Sequence, residues 1–251
     1  MKVLTASLQH FIVQKLQISN QQAVAFILDG QVRVNGQKGQ LRQAIQPEDE
    51  VSFKAQILQT PKIWTYLAYY KPRGIETTLN QNITDNLAAI LTVDQKVFPV
   101  GRLDKDSEGL LLLTDHGTVY DKIIHADSHQ EKEYQVTVDK PLTPEALQQL
   151  ASGITIMGKK TRPARVQPIN LHTFSITLTQ GLNRQIRRMC YKLGYQVQQL
   201  IRTRIINIQL GRLQPGEWRP LTHPEIQELL QTVAPLERKK HLSATNPKSP
   251  E

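Results

Sequence analysis

Residues 100–117 read VGRLDKDSEGLLLLTDHG. A short charged turn, Gly101 to Asp106, runs directly into Leu110-Leu111-Leu112-Leu113, and Gly109 and Gly117 bound the apolar run. A half-buried strand alternates apolar and polar residues, so an unbroken apolar run predicts a strand buried on both faces. Such a strand is a rigid support, and a side chain in the turn that feeds it is held in a fixed direction. Asp104 occupies that place and is the candidate nucleophile or acid–base group. On this stretch alone, a turn aspartate bonded to its own backbone fits equally well.

The composition narrows the partner. The chain has 251 residues and a formal charge of +9, long enough for one large domain and one small one, with a balance that favours a polyanion such as RNA. Cys190 is the only cysteine, which excludes an intramolecular disulfide framework and leads us to expect a reducing, cytoplasmic setting. The first sixteen residues, MKVLTASLQHFIVQKL, are broken by Gln9, His10, Gln14 and Lys15 and do not read as a signal peptide. No run of about eighteen apolar residues occurs, so no membrane partner is expected.

Residues 1–57 read as a unit of their own. Leu8, Ile12 and Leu16 recur at helical spacing, and Ala23, Val24, Ile27 and Leu28 do so again before Gly30. Gln31 to Gly36 reads as a short strand closed by an Asn-Gly turn, and Val51 to Phe53 as another. Two helices followed by G-x-V-x-V-N-G and P-x-D-x-V resemble the S4 RNA-binding fold. Where S4 modules carry a basic cluster, this chain has Ser19-Asn20-Gln21-Gln22, and residues 1–57 hold a net charge of only +2. Phosphate contacts carry most nucleic-acid affinity, so this module is expected to grip RNA weakly. Residues 58–63, with Thr60-Pro61, read as a linker, residues 64–233 as the main domain, and residues 234–251 as a disordered basic and polar tail.

In the main domain, the aromatic strand Trp64 to Tyr70 stops at Lys71-Pro72-Arg73-Gly74, which reads as a turn: proline fixes one dihedral and glycine permits a positive one. Leu87 to Leu91 and Thr118 to Ile124 read as short helices, and His125 to Lys132 as a polar loop. Glu131 to Val138 alternates as a half-buried strand does and carries Tyr134. Thr143-Pro144 starts a helix that Gly153 closes. Val166 to Leu171 and Thr173 to Thr179 read as two further antiparallel strands. In residues 180–194, Ile186, Met189, Cys190 and Leu193 form one helical stripe, and Arg184, Arg187, Arg188 and Tyr191 form another. One face packs and the other offers guanidinium groups. Gln196 to Leu210 reads as one long strand carrying Arg202 and Arg204, and Pro224 to Val233 as a closing helix. Residues 180–219 carry eight cations against Glu217 alone, a net of +7.

G-R-L-D with G-L-L-L-L-T, then K-x-Y-x-V, then N-R-Q-I-R-R-M resemble, in order, the three motifs of pseudouridine synthases of the branch acting on ribosomal RNA. The resemblance implies an α+β fold: the S4-like module, then a catalytic domain on a large mixed, mostly antiparallel sheet flanked by helices. It implies isomerisation of a specific uridine to pseudouridine in structured RNA, with rRNA as the expected partner, tRNA as the alternative, and a monomer working without metal or other cofactor. Asp104, Tyr134 and Arg187 would be catalytic: the carboxylate acting on the ribose or base, the ring stacking on the uracil, the guanidinium pairing with Asp104. Arg102, Lys71, Arg73, Arg184, Arg188, Arg202 and Arg204 would contact RNA. A buried carboxylate needs a partner cation to stay ionised, and a planar guanidinium also fixes its direction. A base can reach such a pocket only after leaving its stack, which favours a hairpin loop of large-subunit rRNA over perfect duplex. Attack at C1′ and elimination to a glycal both remain open. Two rivals stand beside this reading: a glycosidase pairing Asp104 with Asp106 or Glu108, and a non-catalytic S4-type ribosome-assembly factor.

Overall fold

The computed structural model describes residues 7–93, 96–124 and 130–233. The tail expected from residue 234, and residues 125–129 of the expected loop, lie outside the described residues. The chain divides into two compact units, Met1–Trp64 and Thr65–Glu251.

The small unit has two helices and a four-stranded antiparallel sheet. Helix α1 (Leu8–Leu16) is capped by the Ser7 hydroxyl, which accepts from the His10 N–H. Helix α2 (Asn20–Leu28) starts in a reciprocal capping box: the Gln22 N–H donates to Ser19 Oγ and the Ser19 N–H donates to Gln22 Oε1, at 3.2 and 3.0 Å. The stretch Ser19 to Gln22 therefore has a local structural use, worth about 1 kcal/mol for the serine cap. Strands β1 (Val32–Val34), β2 (Gln37–Lys38), β3 (Val51–Phe53) and β4 (Gln56–Gln59) pair in the order β2-β1-β3-β4. Asn35 and Gly36, at φ 50° and 76°, make the expected β1–β2 turn. Leu8, Ile12, Ala23, Ile27, Val32 and Val51 are its buried centre. Strand β4 occupies the first residues of the expected linker, and the Lys62 N–H donates to Pro47 O at 2.9 Å. The sequence Gln-Ile-Leu-Gln does not alternate, so only its pairing with β3 reveals it as a strand.

The large unit runs β5 (Tyr66–Lys71), α3 (Leu87–Ile90), β6 (Phe98–Val100), β7 (Glu108–Thr114), α4 (Gly117–Ile124), β8 (Lys132–Val138), α5 (Pro144–Ser152), β9 (Thr155–Ile156), β10 (Lys159–Lys160), β11 (Arg165–Asn170), β12 (Thr173–Leu178), α6 (Gln185–Lys192), β13 (Val197–Ile205), β14 (Ile208–Gln209), β15 (Trp218–Pro220) and α7 (His223–Val233). Thr143 caps α5, its hydroxyl accepting from the Ala146 N–H with Pro144 in the first turn. The main sheet runs β11-β12-β8-β13-β7-β5-β15, with β14 paired to β13 and β6 to β7. The fold is α+β with a mixed, mostly antiparallel sheet: among the described strands, only β13 and β7 pair in parallel, at Ile201–Glu108 and Arg202–Gly109. All four leucines of β7 are buried, each contributing roughly 1.5–3 kcal/mol over an exposed position.

That short parallel contact is a seam. On one side β8, β12, β13 and α6 share a core that includes Val136, Phe174, Ile176, Met189 and Leu200. On the other, β5, β7 and α3 share Leu67, Tyr69, Leu87, Leu111 and Leu113. Gly109 sits at the seam at φ 104°, where an added Cβ would lie 2.5 Å from Arg202 O, so the strands can approach only with glycine there.

The expected long strand over 196–210 is a hairpin instead. Strand β13 ends at Ile205, a two-residue turn of Ile206 and Asn207 follows, and β14 returns. Ile206 takes φ 55° while buried. An apolar Ile-Ile-Asn-Ile run carries no turn residue of the usual kind at its first position, so hydropathy reads straight through it. Among the described residues no helix is long and apolar enough to cross a membrane.

Candidate active site

The turn before β7 is tied to the rest of the unit at almost every residue. Thr77, buried under it, donates its hydroxyl to Leu103 O at 2.8 Å and accepts from the Leu103 N–H at 3.1 Å. The Gly74 N–H donates to Lys105 O at 2.8 Å, and the Ser107 N–H donates to Asp104 O at 3.0 Å. Arg187 Nη2 donates to Asp106 O at 2.8 Å. Arg202 takes both ends, its Nε donating to Leu110 O at 2.7 Å and its Nη1 to Arg102 O at 3.4 Å. Parallel pairing with β13 stops at Gly109, and one residue further the Arg202 side chain satisfies the Leu110 carbonyl. Asp104 is therefore presented from a backbone with little freedom, which is what orientation of a reacting group requires.

Asp104 opens into a cavity of about 390 Å³. Tyr134, from the middle of β8, lines the same cavity, with Leu178 and Leu200 as its apolar wall. Neither Asp106 nor Glu108 reaches it. Asp106 is exposed and ion-paired with Arg184 at 3.3 Å. Glu108 accepts from Tyr70 Oη at 3.2 Å and from Gln199 Nε2 at 2.9 Å. Asp104 is the single carboxylate among the described residues that lines the cavity, and a paired-carboxylate hydrolase needs two.

Arg187 takes a different position from the expected one. It makes no ion pair with Asp104 among the described residues; its donors reach Asp106 O and, at 3.1 Å, Val197 O. Burial holds its pKa below the usual value and Arg184 acts in the same sense, while Asp106 opposes; Arg73 adds to the lowering, and Asp104 favours the charged form. The guanidinium thus fixes the turn's backbone and lies within the electrostatic reach of the carboxylate without binding it.

The expected RNA contacts divide. Arg102, Arg73, Arg184 and Arg188 are exposed, and Arg102 and Arg184 line the cavity. Arg73 also donates to Gln198 O at 3.2 Å. Lys71 is fully buried, its ammonium donating to Pro72 O and Ile75 O at 2.7 and 2.6 Å. It closes the turn from inside and cannot meet a phosphate. Burial pushes its pKa down to about 8. Arg202 is 2% exposed and holds the turn that bears Asp104. Arg204 is taken up by Glu133 and Glu131, both at 3.0 Å, and by Ile206 O at 2.6 Å. These three are structural, because strand pairing and burial consume donors that composition alone assigns to RNA.

Two cavity-wall groups escaped the sequence reading. Ser107 Oγ and Gln180 Nε2 are buried without a hydrogen-bond partner among the described residues. Ser107 lies inside the quoted motif, but a serine between charged residues carries no signal of its own. An unmade buried hydrogen bond costs about 1–3 kcal/mol, and a uracil offers two carbonyls and an N–H of matching kind.

Comparison with known proteins converges on one chemistry. Residues 65–192 match the family described as RNA pseudouridylate synthase. The dual-specificity RNA pseudouridine synthase RluF of Escherichia coli (strain K12) is 41% identical over 217 residues, covering 86% of this chain and 75% of its own length. The ribosomal small subunit pseudouridine synthase A of Haemophilus influenzae is 31% identical over 89% of this chain and 99% of its own. A crystal structure of a pseudouridylate synthase aligns with TM-score 0.59 and 31% identity over 89% of this chain and 99% of that one.

Proposed function

Because the chain belongs to the RNA pseudouridylate synthase family, we propose that it converts one uridine in a hairpin loop of large-subunit (23S) rRNA, in the cytoplasm, with Asp104 as its nucleophile. The observation that carries this reading is the cavity in which Asp104, its single carboxylate among the described residues, lies with the Tyr134 ring. The target uridine leaves its stack and enters there, its uracil stacking on Tyr134 and meeting Ser107 and Gln180 at its polar edges. The C1′–N1 bond breaks, the uracil turns over, and a C1′–C5 bond forms. The C5 proton is lost and N1 gains one, so product and substrate have the same mass and no water is consumed. Arg187 holds the turn at Asp106 and adds positive potential; Arg102 and Arg184 flank the mouth, where phosphates would lie. Identity to RluF exceeds that to the small-subunit enzyme, 41% against 31%, which supports a target outside the small subunit. That relative's name carries a dual specificity, and we take tRNA as the second RNA to assay.

The test is to incubate the purified chain with unmodified 23S rRNA, digest the RNA and separate its nucleosides. One uridine should become a nucleoside of equal mass and different retention, with no free uracil. Release of uracil, or unchanged uridine in 23S rRNA and in tRNA, would contradict the proposal.

A further inference from the structure

Beyond the catalytic cavity, α6 and the β9–β10 hairpin enclose a second open cavity of about 410 Å³. Its walls are cationic and its rim is apolar. Arg184, Arg187, Arg188 and Lys192 line it, no carboxylate does among the described residues, and Tyr191 and Met157 stand at its edge 75% and 67% exposed. Large apolar side chains that are this exposed gain nothing from folding. Met157 moreover adopts φ 49° beside Gly158 at φ 75°. That is the tight-turn geometry in which Asn or Gly is usual, and a methionine there is held against its own preference. The hairpin thus projects a flexible, polarisable side chain beside an aromatic face, among four positive charges. Arg184 lines both cavities, so a strand leaving the first at Arg184 is already at the second.

We propose that this cavity is a second nucleotide subsite, taking an unpaired base adjacent to the target uridine. The base would stack between Tyr191 and Met157, with its phosphate on Arg188 and Lys192. The inference rests on the reading of the chain as an RNA-modifying enzyme. A base has a π-face whatever its sequence, and cations with an exposed aromatic ring are the combination that single-stranded RNA uses. Arg188 donates to Asn183 O and Asn183 Oδ1, at 3.1 and 3.3 Å, which pre-orients its fork and leaves further N–H groups for phosphate. The subsite would let the enzyme select loops by the distance between two flipped bases.

The test is a protein–RNA double-mutant cycle on the full chain, using a synthetic hairpin that carries the uridine the wild-type chain converts. Loop nucleotides flanking that uridine are replaced one at a time by abasic residues. At one position the abasic change should weaken wild-type binding about tenfold, as loss of one stacked base does. The same change should weaken Tyr191→Ala less than about twofold, since the partner ring is gone, whereas Tyr191→Trp should restore the full loss. Equal abasic effects at every position in wild type, Tyr191→Ala and Tyr191→Trp would overturn the subsite. Conversion of the uridine without any such coupling overturns the subsite alone; failure of the wild-type chain to convert any uridine overturns the proposed function, and the subsite with it.

Discussion

Helix α6 and strand β13 follow one another in the chain and are both rich in arginine, yet they use it in opposite ways. Arg184 at the N-cap of α6 and Arg188 within it are exposed, and Lys192 joins them on the same open face. On β13, Arg202 is 2% exposed and bonded to the backbone of the Asp104 turn, and Arg204 is held by Glu131 and Glu133. Of the eight cations in residues 180–219, Arg219 is likewise occupied, by Glu225 at 2.7 Å. Local net charge therefore overstates the charge offered to RNA. The contrast is one of division of labour: α6 leaves its cations open to solvent, and β13 spends its arginines on holding the Asp104 turn and the sheet.

The largest effect expected from this contrast is at Arg202. Replacing it by Met leaves the Leu110 and Arg102 carbonyls without their donor, which costs about 1–3 kcal/mol of stability, seen as a lower Tm. Turnover should fall roughly 100-fold, because a displaced reacting group loses about that much, while the salt dependence of RNA binding stays unchanged. A gain in stability would mean that desolvation of the guanidinium outweighs its hydrogen bonds. A shallower salt slope would place Arg202 among the phosphate contacts after all.

A second effect separates Lys71 and the half-buried Lys132 from the buried arginine. Burial pushes Lys71 and Lys132 down to about 8, Arg202 adding to the lowering at both. Their folded pKa lies below the unfolded value of 10.5, so between those pH values the unfolded chain holds protons that the folded chain has released. Stability should then rise with pH from about 8 to 10. Above pH 10 the rise should reverse, because burial holds Tyr69 and Tyr70 up at about 12 while tyrosines of the unfolded chain lose their protons. Urea unfolding from pH 7 to 11 reads this directly, and Lys132→Met should flatten the rising limb. A limb unaltered by that substitution would assign the titration elsewhere.

The smallest effect is at Arg188. Removal of one phosphate contact should reduce the slope of log affinity against log salt by roughly 0.7–0.9, with turnover at saturating RNA little altered. An unchanged slope would show that this exposed arginine does not meet the backbone.

What sequence reveals here follows the same boundary between local and distant causes. The leucine run of β7, the Thr143-Pro144 start of α5 and the two stripes of α6 are local patterns, and each stands in the structure as read. The turn bearing Asp104 was visible for the same reason. Strand β4 and the β9–β10 hairpin are not, because stretches of two to four residues are too short to show a period and gain their conformation from their pairing partners. The burial of Arg202 was also invisible. It depends on where a parallel contact ends, about ninety residues back in the chain, and an arginine spaced for a strand face looks the same whether that face meets water or a carbonyl. Ser107 shows the converse: a residue within the most legible motif whose surroundings alone make it interesting.

The central claim is that one carboxylate, Asp104, does the chemistry while its acidic neighbours are structural. It is tested most directly by measuring uridine conversion for Asp104→Asn, Asp106→Asn and Glu108→Gln side by side on the same RNA, with binding measured for each. Asp104→Asn should convert none while binding RNA within a few-fold of wild type, and the other two should retain conversion. Conversion by purified Asp104→Asn, or its equal loss in all three variants, would contradict the account.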